Sequence, residues 1–138
     1  MKKRFNLILL GVIVILSTMT FDSCKKYEDG PAFSLRSKTA RLTGTWKVDE
    51  WGGQDLQYDA FFIFEKNGDF EMKLTYGGAS SSIMGDWEWK SGKEEIKIDF
   101  DNEDFTDATL EILRLTNKEF WFETEDQGNK VKVECTKE

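Results

Sequence analysis

Ala60-Phe61-Phe62-Ile63-Phe64-Glu65-Lys66-Asn67-Gly68-Asp69-Phe70-Glu71-Met72-Lys73-Leu74-Thr75-Tyr76 carries the rhythm that decides the fold. Ala60 to Glu65 is a dense apolar run of strand length. Asn67-Gly68 sits at its end, and Asn-Gly between two apolar runs is the strongest short-range hairpin signal. Phe70, Met72, Leu74 and Tyr76 then alternate with Glu71, Lys73 and Thr75, a period of two rather than 3.6.

The same period extends in both directions. Upstream, Trp46 and Val48 share one face of Gly44-Thr45-Trp46-Lys47-Val48-Asp49-Glu50-Trp51. Downstream, past the loop Gly77-Gly78-Ala79-Ser80-Ser81-Ser82, the residues Ile83, Gly85, Trp87 and Trp89 alternate with Met84, Asp86, Glu88 and Lys90. Ile96, Ile98 and Phe100 do the same after Ser91-Gly92-Lys93. Leu110 and Ile112 follow an acidic loop, and the adjacent pair Ile112-Leu113 breaks the alternation as a bulge would. Phe120 and Phe122, then Val131, Val133 and Cys135, complete the series. About eight short strands joined by polar turns imply an all-β antiparallel meander, each strand pairing with its predecessor. Closure into an eight-stranded barrel hides the edges of so long a meander and turns its apolar face inward. A two-sheet sandwich shares the pattern of spaced short strands and is the competing architecture.

The chain has 138 residues, 19 Lys+Arg against 26 Asp+Glu, no His and a formal net charge of −7. That length suits one domain. An acidic surface disfavours a nucleic-acid partner, since phosphate binding needs a basic patch. Lack of His removes the commonest general base and the commonest zinc ligand. Ser80-Ser81-Ser82 and Cys135 therefore have no His partner for nucleophilic catalysis. The cluster Asp99-Phe100-Asp101-Asn102-Glu103-Asp104 with Asp107 fails the calcium-loop order, having Asp104 where a Gly is needed and Leu110 where a Glu is needed. The expectation is a protein that is not an enzyme and uses no metal or cofactor.

The first residues read as an address. Met1-Lys2-Lys3-Arg4 is cationic, Leu7 to Leu16 is apolar with Gly11, and Ser17 to Cys24 is small and polar. These are the three regions of a secretory signal, and the apolar run is marginal for a membrane span, which needs about 20 residues. Ser23-Cys24 after such a run resembles the lipobox of a bacterial lipoprotein. That resemblance implies cleavage before Cys24 and acyl chains on it, the membrane being the partner. It implies a place in the bacterial cell envelope, on the outer membrane, with residues 1–23 as signal peptide, 24–40 as lipidated Cys and tether, and 41–138 as barrel domain. A Cys24–Cys135 bridge in an ordinary secreted protein is the alternative. Loss of Lys2, Lys3, Arg4 and Asp22 would move the net charge from −7 to −9, so attachment would come from acyl chains and not from attraction to anionic headgroups.

Leu42-Thr43-Gly44-Thr45-Trp46-Lys47-Val48 resembles the G-x-W signature that opens the first strand of lipocalins and related calycin barrels. Phe62 to Phe70 and Gly85-Asp86-Trp87-Glu88-Trp89 resemble stretches of lipocalin-like domains from Bacteroidota lipoproteins. The resemblance implies that Gly44 and Trp46 close one end of the barrel, with Trp46 covered by an Arg, in the family often one from a late strand; Arg114 and Arg36 are the two candidates. The second lipocalin signature, T-D-x-x-Y, is absent, and the domain is short. The implied function is burial of a small apolar ligand inside the barrel, lined by Phe62, Phe64, Phe70, Met72, Leu74, Trp87, Trp89, Ile98, Phe120 and Phe122. The alternative is a filled core, with the protein acting as an accessory lipoprotein through its outer face, where Trp51 and Trp121 are the expected exposed aromatics.

Overall fold

The structure, a computed structural model, describes residues 36–138. A short helix, α1 (Lys38–Leu42), precedes nine strands: β1 (Gly44–Trp51), β2 (Gln54–Asp55), β3 (Asp59–Phe64), β4 (Asp69–Tyr76), β5 (Ala79–Lys90), β6 (Glu95–Phe100), β7 (Ala108–Leu115), β8 (Glu119–Asp126) and β9 (Asn129–Lys137). All pairings are antiparallel. Neighbours in sequence are neighbours in the sheet, except that β1 pairs with β3 past the two-residue β2, and β1 also pairs with β9. That last pairing closes the meander into an eight-stranded barrel, with β2 as an extra strand folded back on the end of β1.

Closure follows from the pattern read in the sequence. Each strand has one apolar side, and the barrel leaves no long edge unpaired. The hairpin at Asn67-Gly68 forms as expected, with Phe64 opposite Phe70. Gly68 has φ +101°, a conformation that costs a side-chain-bearing residue dearly. Its local partners are in place too: Asn67 Oδ1 accepts from the Asp69 amide at 3.1 Å.

Two bulges set the phase of the aromatic residues. The first lies between Ile112 and Arg114, where the sequence breaks its alternation; beyond it Leu115 returns to the interior and Arg114 faces outward. The second, between Val48 and Glu50, has no such signature. It rotates the end of β1 so that Trp51 pairs with Val133 and packs against the core rather than standing free. Trp51 Nε1 donates to Asp126 Oδ2 at 3.3 Å. Trp121 does lie on the outer face, half-buried between two cations: the Arg114 guanidinium sits 4.7 Å from its ring centre and Lys132 Nζ 4.4 Å.

Candidate functional site

The two ends of the barrel differ in chemistry. One end gathers α1, the start of β1 and the last residues of β9. Ser37 caps α1, its hydroxyl accepting from the Ala40 amide at 3.1 Å. Leu42 on the helix is fully buried and so is Trp46. Trp46 Nε1 donates to the Leu42 carbonyl at 2.6 Å, and Trp89 Nε1 donates to Thr39 Oγ1 at 2.9 Å. Arg41 Nη1 donates to the Leu115 carbonyl at 3.0 Å. The helix begins within the stretch assigned to the tether and seals this end.

The cation over Trp46 is Lys137, neither Arg114 nor Arg36. Its Nζ lies 4.6 Å from the ring centre and donates to the Arg41 and Thr43 carbonyls at 2.8 and 2.6 Å. A lysine serves here because the end of α1 leaves carbonyls without intrahelical partners, and an ammonium can donate to two of them while covering the ring. Burial, reinforced by the positive charge of Arg36, lowers the Lys137 pKa from its ordinary value. Gly44 allows the close approach, since a Cβ there would stand 2.9 Å from Lys137 Cε.

Above this seal the interior is packed with rings. Of the residues offered as pocket lining, Phe62, Phe64, Phe70, Trp87, Ile98, Phe120 and Phe122 are buried. Their rings meet one another: Phe120–Phe122 at 4.9 Å, Phe64–Phe70 at 5.2 Å, Phe62–Phe122 at 5.9 Å and Phe64–Trp87 edge to face at 5.8 Å. Such spacings are those of rings in mutual contact. Met72, Leu74 and Trp89 are only partly buried. Trp89 belongs to the sealed end; Met72 and Leu74 point toward the other end, as do Leu56, Phe100 and Ala108.

That other end is an open mouth. It is rimmed by the loop before β3, the Gly77-Gly78 turn, the acidic loop 101–107 and the Gln127-Gly128 turn. Between the first two lies a groove of about 650 Å³, lined by Leu56, Tyr58, Asp59, Thr75, Tyr76 and Gly77 among others. Tyr58 is 44% exposed and Tyr76 74%, so two amphipathic rings stand free at its walls. Residue periodicity does not single out this groove, because its walls come from two loops whose proximity depends on β3–β4 pairing; Tyr76 at the end of the hairpin strand is the one hint the sequence holds. The acidic loop braces itself with Lys97, which bonds the Asp99 carboxylate and reaches Asp107 Oδ2 at 3.6 Å. The Lys97 bond holds the Asp99 carboxyl below its ordinary pKa. Among the described residues no group of three or more His, Cys, Asp or Glu side chains could hold a metal ion.

Cys135 is a free thiol, 1% exposed, between β1 and β8. Burial pushes its pKa far above the ordinary 9.0, with Asp49 and Glu134 adding to the shift. The unfolded chain therefore releases this proton from pH 9.0 upward while the folded chain keeps it, and the thiol's contribution to stability is lost as the pH rises past that point. At a pH about 1.5 units above the unfolded value the loss is about 2 kcal/mol. Urea unfolding across the alkaline range should show this slope in the parent and lack it in Cys135→Ala. Lys137 acts in the opposite sense, gaining stability as the pH rises toward 10.5, and is common to both proteins, so their difference isolates the thiol.

No protein-family model matches the chain, and no curated protein does so in sequence. The fold and site define its class: a closed, eight-stranded antiparallel β-barrel with one end sealed by a helix and a lysine-covered tryptophan, and the other open.

Proposed function

We propose that the chain is a lipocalin-like lipoprotein of the bacterial envelope, anchored by acyl chains on Cys24, and that its barrel is a passive, non-enzymatic module binding a small apolar ligand. Cys24 and the signal segment lie outside the described residues, and the reading of them rests on the charged start, the apolar run and the Ser23-Cys24 pair. The binding reading rests on the groove at the mouth. Its volume falls in the range typical of small-molecule sites, about 300–1,000 Å³, and its walls combine Leu56 with two free tyrosines. Packed rings fill the lower barrel, so the ligand lies at the mouth, its apolar end toward Leu74 and Met72, its polar end within reach of the tyrosine hydroxyls. The gain is burial of apolar surface, about 25 cal/mol per Å² removed from water.

Native mass spectrometry of the full chain extracted from membranes in mild detergent tests both parts. The expected spectrum shows a chain lacking residues 1–23 and carrying acyl mass, with a co-purified small molecule that organic solvent removes. In the Tyr58→Ser/Tyr76→Ser double variant the acyl mass stays and the small molecule is lost. An unprocessed chain overturns the anchor, and an unloaded parent chain overturns the binding site.

A further inference from the structure

The barrel wall is not zipped along its whole length. The β7–β8 ladder ends at Glu111 opposite Glu123. Continuing its register would set Thr109 opposite Glu125, yet the strands diverge there into a cleft that runs to the mouth. Two adjoining hollows of about 210 and 440 Å³ occupy it, and both are lined by Thr109, Thr124 and Glu125. The backbone of Thr109 faces this cleft. The Ile112 amide points the other way, donating to the Glu94 carbonyl at 3.0 Å, and backbone groups alternate sides along an antiparallel strand. On β8 the same alternation turns Glu125 toward the cleft, because its neighbours Thr124 and Asp126 pair with Val131 and Asn129 of β9 in the tight hairpin. Two strand edges thus face each other without joining.

Thr124, 8% exposed, lines both hollows.

The charge of the cleft specifies the occupant's chemistry. Glu95, Glu111 and Glu123 stand abreast across three strands, each opposite the next. Like charges directly opposite destabilise a sheet; Lys130, mostly exposed, lies 3.4 Å from Glu111 and 3.9 Å from Glu123, and the Ser91 hydroxyl donates to Glu95 at 2.6 Å. Glu125 and Asp107 extend the acidic lining to the mouth. The glutamates do not converge as cation ligands. A second copy of this chain, itself carrying a net −7, would set acid against acid.

We propose that the β7–β8 cleft accepts a basic, extended peptide segment of another protein, which adds to the free edge at Thr109 and Glu125 and lays its cationic side chains along the glutamate row. Main-chain bonds to an open edge supply affinity in this mode, and side-chain charge supplies choice of partner. The site lies in the wall and shares no residue with the tyrosine groove.

The test titrates the full chain, ¹⁵N-labelled in nonionic detergent, with an acetylated and amidated octapeptide of alternating Lys and Val. Saturable amide shifts centred on Thr109 and Glu125 are expected, with no comparable shifts from the Glu/Val counterpart. Thr109→Pro removes a donor that the fold does not use and should weaken binding about tenfold, the equivalent of one hydrogen bond. Glu125→Lys should weaken it as much, whereas Thr109→Ala and the Tyr58→Ser/Tyr76→Ser variant bind as the parent does. Absence of saturable shifts, equal binding of the Glu/Val peptide, or indifference to Thr109→Pro would overturn the proposal. So would concentration-dependent dimers in sedimentation that Thr109→Pro abolishes, which would make the occupant a second copy.

Discussion

Trp46→Ala should cost about 3–5 kcal/mol of unfolding free energy, the range for removing a large buried aromatic. Trp46 is wholly buried, and its ring lies 5.5 Å from that of Phe120 on β8, two strands away around the barrel. Its loss removes three contacts at once. The Leu42 carbonyl loses its 2.6 Å donor, Lys137 loses the ring beneath its ammonium, and α1 loses the floor on which Leu42 packs. Helix α1 has five residues, too few to persist without tertiary support. The variant should therefore expose Trp89, whose Nε1 bond to Thr39 depends on α1 staying in place. Urea unfolding gives the stability change, and quenching by iodide reports the exposure. Trp46→Phe separates the contributions: it keeps most of the ring but not the donor, and should lose about 1–3 kcal/mol, the cost of leaving a buried carbonyl unpaired. A Trp46→Ala protein within about 1 kcal/mol of the parent would mean that the end is held by α1 alone.

What the sequence disclosed was facing, and what it withheld was depth and contact. Period-two alternation assigned Phe62, Phe64, Phe70, Met72 and Leu74 to one side of a strand, and the barrel puts them all inside. Alternation is identical for Phe70 at 1% exposure and for the half-buried Leu74, because distance from the sealed end depends on how eight strands are staggered. The Ile112 bulge was legible since two apolar residues stand side by side. The bulge at Asp49 was not, since the odd phase of Trp51 after Val48 reads as an exposed aromatic beyond the strand, and the extra residue is defined only by pairing with β9. Lys137 escaped for a similar reason: a terminal lysine resembles any solvated charge until the last strand lies beside the first. The cleft between β7 and β8 is the absence of a pairing, and no residue pattern announces it.

Gly85→Ala should be nearly as damaging, at about 3 kcal/mol, the upper part of the range for overpacking. The reason lies in β5, the longest strand. Residues 79–84 pair with β4, residues 87–90 pair with β6, and Gly85 and Asp86 pair with both. The strand therefore turns a corner at Gly85, passing from one half of the wall to the other, and glycine is the residue that sharp barrel corners use. A methyl group there would overlap the Asp99 carbonyl oxygen and stand 3.1 Å from Phe100 Cα. Both are backbone atoms of β6, so no side chain can swing aside to relieve the contact; the strands must separate, and cross-strand bonds lengthen. Phe70 and Phe100, the partners on either side, meet at 6.0 Å across this position, so separation also opens the aromatic core. Gly78 provides the comparison. It has φ +82° but open space around it, and Gly78→Ala should cost about 1–2 kcal/mol through backbone conformation alone. Chemical denaturation of both variants decides the matter. Equal losses would show that conformational freedom, not the approach of β6, is what position 85 requires. A larger loss at Gly85, with a far-UV spectrum still that of a β-protein, is the result that close strand contact demands.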